Sequence, residues 1–357
     1  MSSTAAIVDR VFEEVDRAAE ELVTFTSDLI RIPTVNPPGE CYEDCAHFIG
    51  AVLSRMGFEV EYFAAEGRPE HTARHPRLNV VGTREGLSAR PTVHLNGHFD
   101  VVPAGEGWTL DPFGGIVRNG RVYGRGACDM KAGIAAAAFA AEAIRRAGIP
   151  VPGTIEISGT VDEESGGFAG VAWLAEHGRI SSTRTDYCII PEPLNVDRVC
   201  VGHRGVYWFE VAARGHIAHG SMPFLGVSAI DGMSVLMQAI REELLPELAA
   251  RRTDRPGRAR GRPARHAQHQ RNLGRAAGGR HSDAVRGGRL PRRLRPALSP
   301  RGRLRRHAPR GGAAPGPGAG AHAARPAYAL NDLMVVHPTR TPDDSPVIAA
   351  VEAGWTG

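Results

Sequence analysis

Four short strings in the first two hundred residues place metal-binding side chains where a strand has just ended. His98-Phe99-Asp100 follows the apolar run from Thr92 to Leu95, and Asp129 lies in the glycine-rich stretch Gly124-Arg125-Gly126-Ala127-Cys128-Asp129-Met130-Lys131. Glu163-Glu164 follows Thr154–Thr160, and Glu192 sits between Pro191 and Pro193 after the run from Asp186 to Ile190. One imidazole and several carboxylates form the ligand mixture that Zn²⁺ accepts while keeping a position open for water. A pair of ions about 3.5–4 Å apart needs a bridging carboxylate, and Asp129 is placed to supply one. Asp100, two residues after His98, can take the second imidazole proton and fix the tautomer. One glutamate of the pair can bind metal while its neighbour acts as general base. Each residue also has a plainer reading. A histidine at a strand end can be a polar terminus, a Glu-Glu pair can be solvated surface, Asp129 can be a helix N-cap, and Glu192 can be a turn residue. The shared context, a Gly- or Pro-rich turn after an apolar strand, favours a common site.

The elements that must position these residues alternate. Val8, Val11, Phe12, Val15, Ala19, Leu22 and Val23 recur at helical spacing, which predicts an amphipathic helix over ~6–30, closed by Pro33 and the Asn36-Pro37-Pro38-Gly39 turn. A second helix is expected over ~40–56, stopping at Gly57. Strands are expected at Phe58–Phe63, Leu78–Gly82, Thr92–Leu95, Thr154–Thr160 and Asp186–Ile190, with an exposed hairpin over Ile116–Tyr123. Helices are expected at Lys131–Ala147 and Ala169–Glu176. This alternation implies an α/β layer fold with a largely parallel or mixed sheet, whose strand ends gather the ligands. After Glu192 the texture changes: Gly205–Ala212 reads as a strand and ~226–249 as a long helix, the start of a second, smaller α/β domain.

These strings resemble the zinc metallopeptidase and deacylase family of acetylornithine deacetylase, succinyl-diaminopimelate desuccinylase, aminoacylase-1 and carboxypeptidase G. The resemblance rests on His94–Pro103, Tyr123–Lys131, Thr160–Gly167, Pro191-Glu192-Pro193 and Gly215–Pro223, in family order across residues ~25–250. It implies a mixed-sheet catalytic domain of zinc-exopeptidase type (1–199) with an inserted smaller α+β lid and dimerisation domain (200–326), and a truncated return to the catalytic domain over 327–357. It implies two Zn²⁺, with Co²⁺ as a possible substitute: His98 and Glu192 on one ion, Asp129 bridging, Glu164 on the second. Glu163 becomes the general base and later the acid, and Asp100 orients His98. His219, in the lid, would reach a partner subunit's site in a homodimer and stabilise the oxyanion. The implied activity is removal of an N-acyl group from an amino acid or similar small molecule. A dipeptidase or carboxypeptidase of the same family, or an inactive remnant with a broken lid, are the alternatives. The family carries one more histidine near its C-terminus to complete the second ion's ligands; this chain has no histidine after His337, whose upstream context does not match.

Charge separates one segment from the rest. Arg251–Pro326 holds 21 Arg, no Lys and two acids, a charge of +19, whereas the whole chain carries +4 and the remainder therefore −15. The segment has no aromatic residue, and Val285 is its one β-branched aliphatic residue, so it cannot bury enough apolar surface to order itself. A shifted reading frame is expected: His266–Gln270 can be encoded by a base string that, read one base later, gives Thr-Leu-Asn-Ile-Asn, a strand-like string. A nucleic-acid-binding arm would share the charge but would need stacking aromatics or an amphipathic recognition helix, so no nucleic acid is expected as partner. The N-terminus lacks a basic region followed by an apolar stretch, and no run is long enough to span a bilayer, so a cytoplasmic protein without membrane contact is expected. Cys41, Cys45, Cys128, Cys188 and Cys200 form no CxxC pair and are expected to be ordinary buried thiols.

Overall fold

The computed structural model describes residues 3–193, 199–203, 205–251 and 326–356. The chain divides into two compact units, Met1–Arg198 and Val199–Gly357. The expected frame-shifted segment at 251–326 lies, beyond its end residues, outside the described residues.

The first unit runs α1 (Ser3–Arg17), α2 (Ala19–Arg31), α3 (Tyr42–Arg55), β1 (Glu59–Ala64), β2 (Leu78–Glu85), β3 (Thr92–His98), β4 (Ile116–Arg118), β5 (Arg121–Tyr123), α4 (Lys131–Arg146), β6 (Thr154–Thr160), α5 (Val171–Glu176) and β7 (Tyr187–Ile189). The single helix expected over ~6–30 is two helices, because the buried Ala18 leaves helical geometry (φ −88°, ψ 1°). The break lets both halves pack on α4. Five strands form one sheet in the order β1-β2-β6-β3-β7. β1, β2 and β6 pair antiparallel, whereas β3 pairs parallel with both β6 and β7, so the sheet is mixed as expected. β4 and β5 form the expected hairpin on a two-residue turn, Asn119-Gly120, with both φ values positive.

β6 is buried along its whole length, which makes it and its parallel neighbour β3 the rigid centre of the unit. Phe25, Leu29, Ile49, Leu53, Val80, Phe99, Ile134, Ala138, Phe139 and Ile157 form the core between the sheet and the helices. Each large side chain so buried contributes about 1.5–3 kcal/mol. The alanine face of α4 (Ala135, Ala137, Ala138, Ala141) allows close approach, and Gly97 has no room for a Cβ, which would lie 2.6 Å from Ile134 Cγ1. His98 therefore ends a strand clamped on both edges and against α4.

The second unit contains β8 (Gly202–His203), β9 (Val206–Arg214), α6 (Ala229–Ala239), α7 (Leu245–Ala250), β10 (Ala327–Val336), β11 (Thr339–Arg340) and α8 (Pro346–Thr356). Ser228 caps α6 by accepting a hydrogen bond from the Asp231 amide at 3.1 Å. α6 and α7 are joined by a π-helical stretch, Ile240–Leu244. Pro246 lacks an N–H and its ring crowds the carbonyl four residues earlier, so the helix widens there instead of continuing regularly. The segment after residue 326 pairs with strands of this second unit. β10 pairs antiparallel with β9 from Ala327–Arg214 to Val336–Val206, with a bulge between Asp332 and Met334. Tyr328 and Leu330 close on Leu236 of α6, and Tyr328 Oη donates to Gly232 O at 2.6 Å. That ladder and cluster hold the strand in the second unit.

The cysteines also differ from expectation. Cys45 is buried in α3, but Cys41, Cys128, Cys188 and Cys200 are exposed and all five are free. Cys41 and Cys128 sit in turns and Cys188 on β7, which among the described residues is the edge strand of its sheet. Among the described residues no helix is long and apolar enough to cross a membrane.

Candidate metal centre

The site is built at the ends of β3 and β6 and the turns that follow. His98, the last residue of β3, is 2% exposed. Its Nε2 lies 3.2 Å from Asp129 Oδ1, 3.4 Å from Glu192 Oε1 and 3.8 Å from Glu163 Oε2. Asp129 stands in the turn before α4, Glu192 after β7, and Glu163 in a 3-10 turn after β6 (Glu163–Ser165). The side chains of Asp129 and Glu163 are 55% and 54% exposed, against 29% for Glu192. The imidazole is thus the buried floor and the carboxylates a solvent-facing rim. His98, Asp129 and Glu192 each offer a ligand atom within 4.8 Å of the others, a donor set that fits Zn²⁺.

Asp100 lies behind His98 and is completely buried. His98 Nδ1 is shared between Asp100 O at 3.0 Å and Asp100 Oδ1 at 3.3 Å, which leaves Nε2 facing the carboxylates. The same carboxylate accepts the backbone N–H of Glu163 at 3.1 Å and of Glu164 at 3.2 Å. Asp100 therefore orients the histidine and also pins the turn that carries both glutamates.

Charge is unbalanced here. Burial pulls the His98 pKa down, but hydrogen bonds to Asp100, Asp129 and Glu192 outweigh it and hold the imidazole well above its ordinary value. The hydrogen bond to His98, aided by Glu192 and the Arg125 charge, holds Asp129 low against its own desolvation. Desolvation, followed by repulsion from Asp100, Glu192 and Asp129, lifts Glu163 despite the opposing pull of His98. Burial and the neighbouring Asp129 charge push Glu164 up to about 7. Such crowding of carboxylates around one imidazole suits a cation.

The structure brings His98, Asp129, Glu192 and Glu163 together, places Asp100 behind them, and sets Glu164 beside Asp129 but outside the three-ligand cluster. His219 belongs to the second unit, where it is exposed and its ring contacts are local: Nδ1 meets Ser221 Oγ at 2.8 Å and accepts the Ser221 amide at 3.2 Å. Sequence reasoning missed three supports. Asn36 donates from Nδ2 to Asp100 Oδ2 at 2.9 Å. Tyr42 Oη and Arg77 Nε hold the buried Asp162, at 2.8 and 2.9 Å, immediately before Glu163. Lys131, fully buried, donates from Nζ to the carbonyls of Leu29 (2.8 Å) and Ile32 (2.7 Å), tying the end of α2 to the start of α4 two residues beyond Asp129. A motif search could have flagged Lys131, the sole lysine of the chain.

The chain is 35% identical over 228 residues to a succinyl-diaminopimelate desuccinylase of Methylobacterium nodulans, covering 61% of this chain and 54% of the relative. It is 36% identical over 217 residues to that of Gluconacetobacter diazotrophicus, covering 57% and 52%. The chain thus spans about half the length of these curated relatives. Its fold is similar to that of the dipeptidase Dug1p of Saccharomyces cerevisiae (TM-score 0.59, 18% identity, 98% of this chain and 76% of that one). Human carnosine dipeptidase 1 gives a TM-score of 0.53 at 18% identity, covering 98% and 75%. The family model described as peptidase family M20/M25/M40 matches residues 94–355, from the start of the His98 strand motif through α8. This chain belongs to peptidase family M20/M25/M40.

Proposed function

We propose that this chain is a metal-dependent amidohydrolase that removes an N-acyl group from an amino acid or similar small molecule, in the manner of a succinyl-diaminopimelate desuccinylase. One observation carries the reading: His98, Asp129 and Glu192 converge within metal-ligand reach, with Glu163 beside them at 3.8 Å from His98 Nε2. The proposed cofactor is a pair of Zn²⁺ ions, replaceable by Co²⁺; His98 and Glu192 would hold one, Glu164 the other, and Asp129 would serve both. Bound there, the ions supply Lewis acidity toward the amide carbonyl and lower the pKa of water.

The chain's own residues do the proton work. Glu163 takes a proton from the attacking water and delivers it to the departing amine nitrogen, so that amide and water become carboxylate and amine. Desolvation raises its pKa, the direction that favours a group which must accept and then release a proton. Asp100 would keep the His98 Nε2 lone pair turned toward the ligand side by accepting the hydrogen bond from Nδ1–H, which fixes the tautomer. His219 is the proposed oxyanion donor, acting across a homodimer formed through the second unit as a lid. A panel of N-succinyl, N-acetyl and N-formyl amino acids with added Zn²⁺ or Co²⁺ tests this reading by free-amine release. Release from an N-acyl amino acid, N-succinyl-diaminopimelate first, is expected. Cleavage of dipeptides alone would shift the chain to the dipeptidase reading.

A further inference from the structure

We infer that Asn36 is a positioning residue for this site: its amide fixes Asp100 and, through it, the turn bearing Glu163 and Glu164. The inference rests on the metal-dependent reading above. Asp100 has no exposed surface, so each of its roughly four lone-pair positions needs a donor. Four donors are present. Oδ2 receives Asn36 Nδ2 at 2.9 Å and Glu164 N at 3.2 Å. Oδ1 receives Glu163 N at 3.1 Å and lies 3.3 Å from His98 Nδ1. Three of these belong to the site residues that Asp100 positions, and they drift with it if it turns. Asn36 alone comes from another element, the segment leaving α2.

That segment is itself fixed. Asn36 N donates to Val101 O at 2.8 Å, Val101 N donates to Thr34 O at 2.9 Å, and Thr34 Oγ1 donates to Phe99 O. Asn36 is 3% exposed, and its Nδ2 also reaches Ser165 Oγ at 3.0 Å, at the far end of the glutamate turn. The side chain thus bridges both ends of the Asp100–Ser165 constellation. A carboxylate only accepts hydrogen bonds, so the position demands a donor of this length. Alanine removes it. Aspartate keeps the shape but sets one carboxylate against another.

The test uses the full chain, stripped of metal and then titrated with Co²⁺ alone. Wild type, Asn36→Ala and the isosteric Asn36→Asp are compared by visible absorption, by thermal unfolding, and by kcat and KM on an N-succinyl amino acid. The expected result is a changed Co²⁺ spectrum, with metal affinity or kcat down about 10–100-fold and KM within about 3-fold, since Asn36 touches no substrate. Folded variants with the wild-type spectrum, affinity and kcat would overturn the role of Asn36. A wild type that takes up no Co²⁺ would instead overturn the metal reading on which it rests. Should Asn36→Ala fail to fold, Asn36→Asp carries the same readouts.

Discussion

Glu163 and Glu164 are neighbours with different proposed duties, and the proposal rests on what each side chain meets. Glu163 Oε2 lies 3.8 Å from His98 Nε2, whereas the Glu164 carboxyl responds chiefly to burial and to Asp129. Replacing Glu163 with alanine should lower kcat by about 10²–10⁴-fold while metal content stays at the wild-type level, because the three-ligand cluster does not include it. Single-turnover kinetics with metal analysis would check this, and retained turnover would refute Glu163 as the base. His98, Asp129, Glu163, Glu164 and Glu192 could be singled out from sequence because each stands at the end of a strand or in the turn that follows, beside Gly or Pro residues. Asn36 could not. Its string reads as a helix-ending turn, and only the fold brings its amide to a carboxylate 64 residues away.

At the scale of elements, two buried polar links set where the strand and helix ends lie. Lys131 satisfies the carbonyls of Leu29 and Ile32 at the C-terminus of α2. Lys131→Met should cost about 1–3 kcal/mol, since it leaves those carbonyls unpaired inside the protein. Urea unfolding reads the change, and unaltered stability would contradict the link. Across β3 and β6, Glu156 meets His94 Nδ1 at 3.0 Å and Arg184 Nη2 at 2.6 Å. Burial raises the Glu156 pKa, but the bonds to His94 and Arg184 outweigh it, so the folded value is below the ordinary 4.5. The sign follows from linkage: the charged glutamate stabilises the fold fully above about pH 4.5, and that contribution fades as pH falls through the lower folded value. The stability gap between wild type and Glu156→Gln should therefore be constant near neutrality and close in acid; a gap that widens below pH 4.5 would contradict it. The strands were readable because alternation and apolar runs survive in sequence. The α1–α2 break was not, because the helical spacing continues through Ala18 and tertiary packing on α4 decides it.

For the molecule as a whole, the first unit follows its local sequence and the second depends on distant pairing. β9 and β10 lie more than a hundred residues apart, with the arginine-rich segment between them. No local pattern connects Tyr328 and Leu330 to Leu236, so their packing together could not be read from sequence periodicity. The centre in the first unit stands on residues 98–192 and makes the more direct claim. It is tested by stripping the protein with a chelator, dialysing, and titrating back Zn²⁺ or Co²⁺ while following amine release from N-succinyl-diaminopimelate. The account predicts that turnover is lost on stripping and restored by metal, and that His98→Ala neither binds the ion nor turns over. Hydrolysis indifferent to chelation, or a wild-type chain that takes up no metal with His98, Asp129 and Glu192 intact, would contradict it.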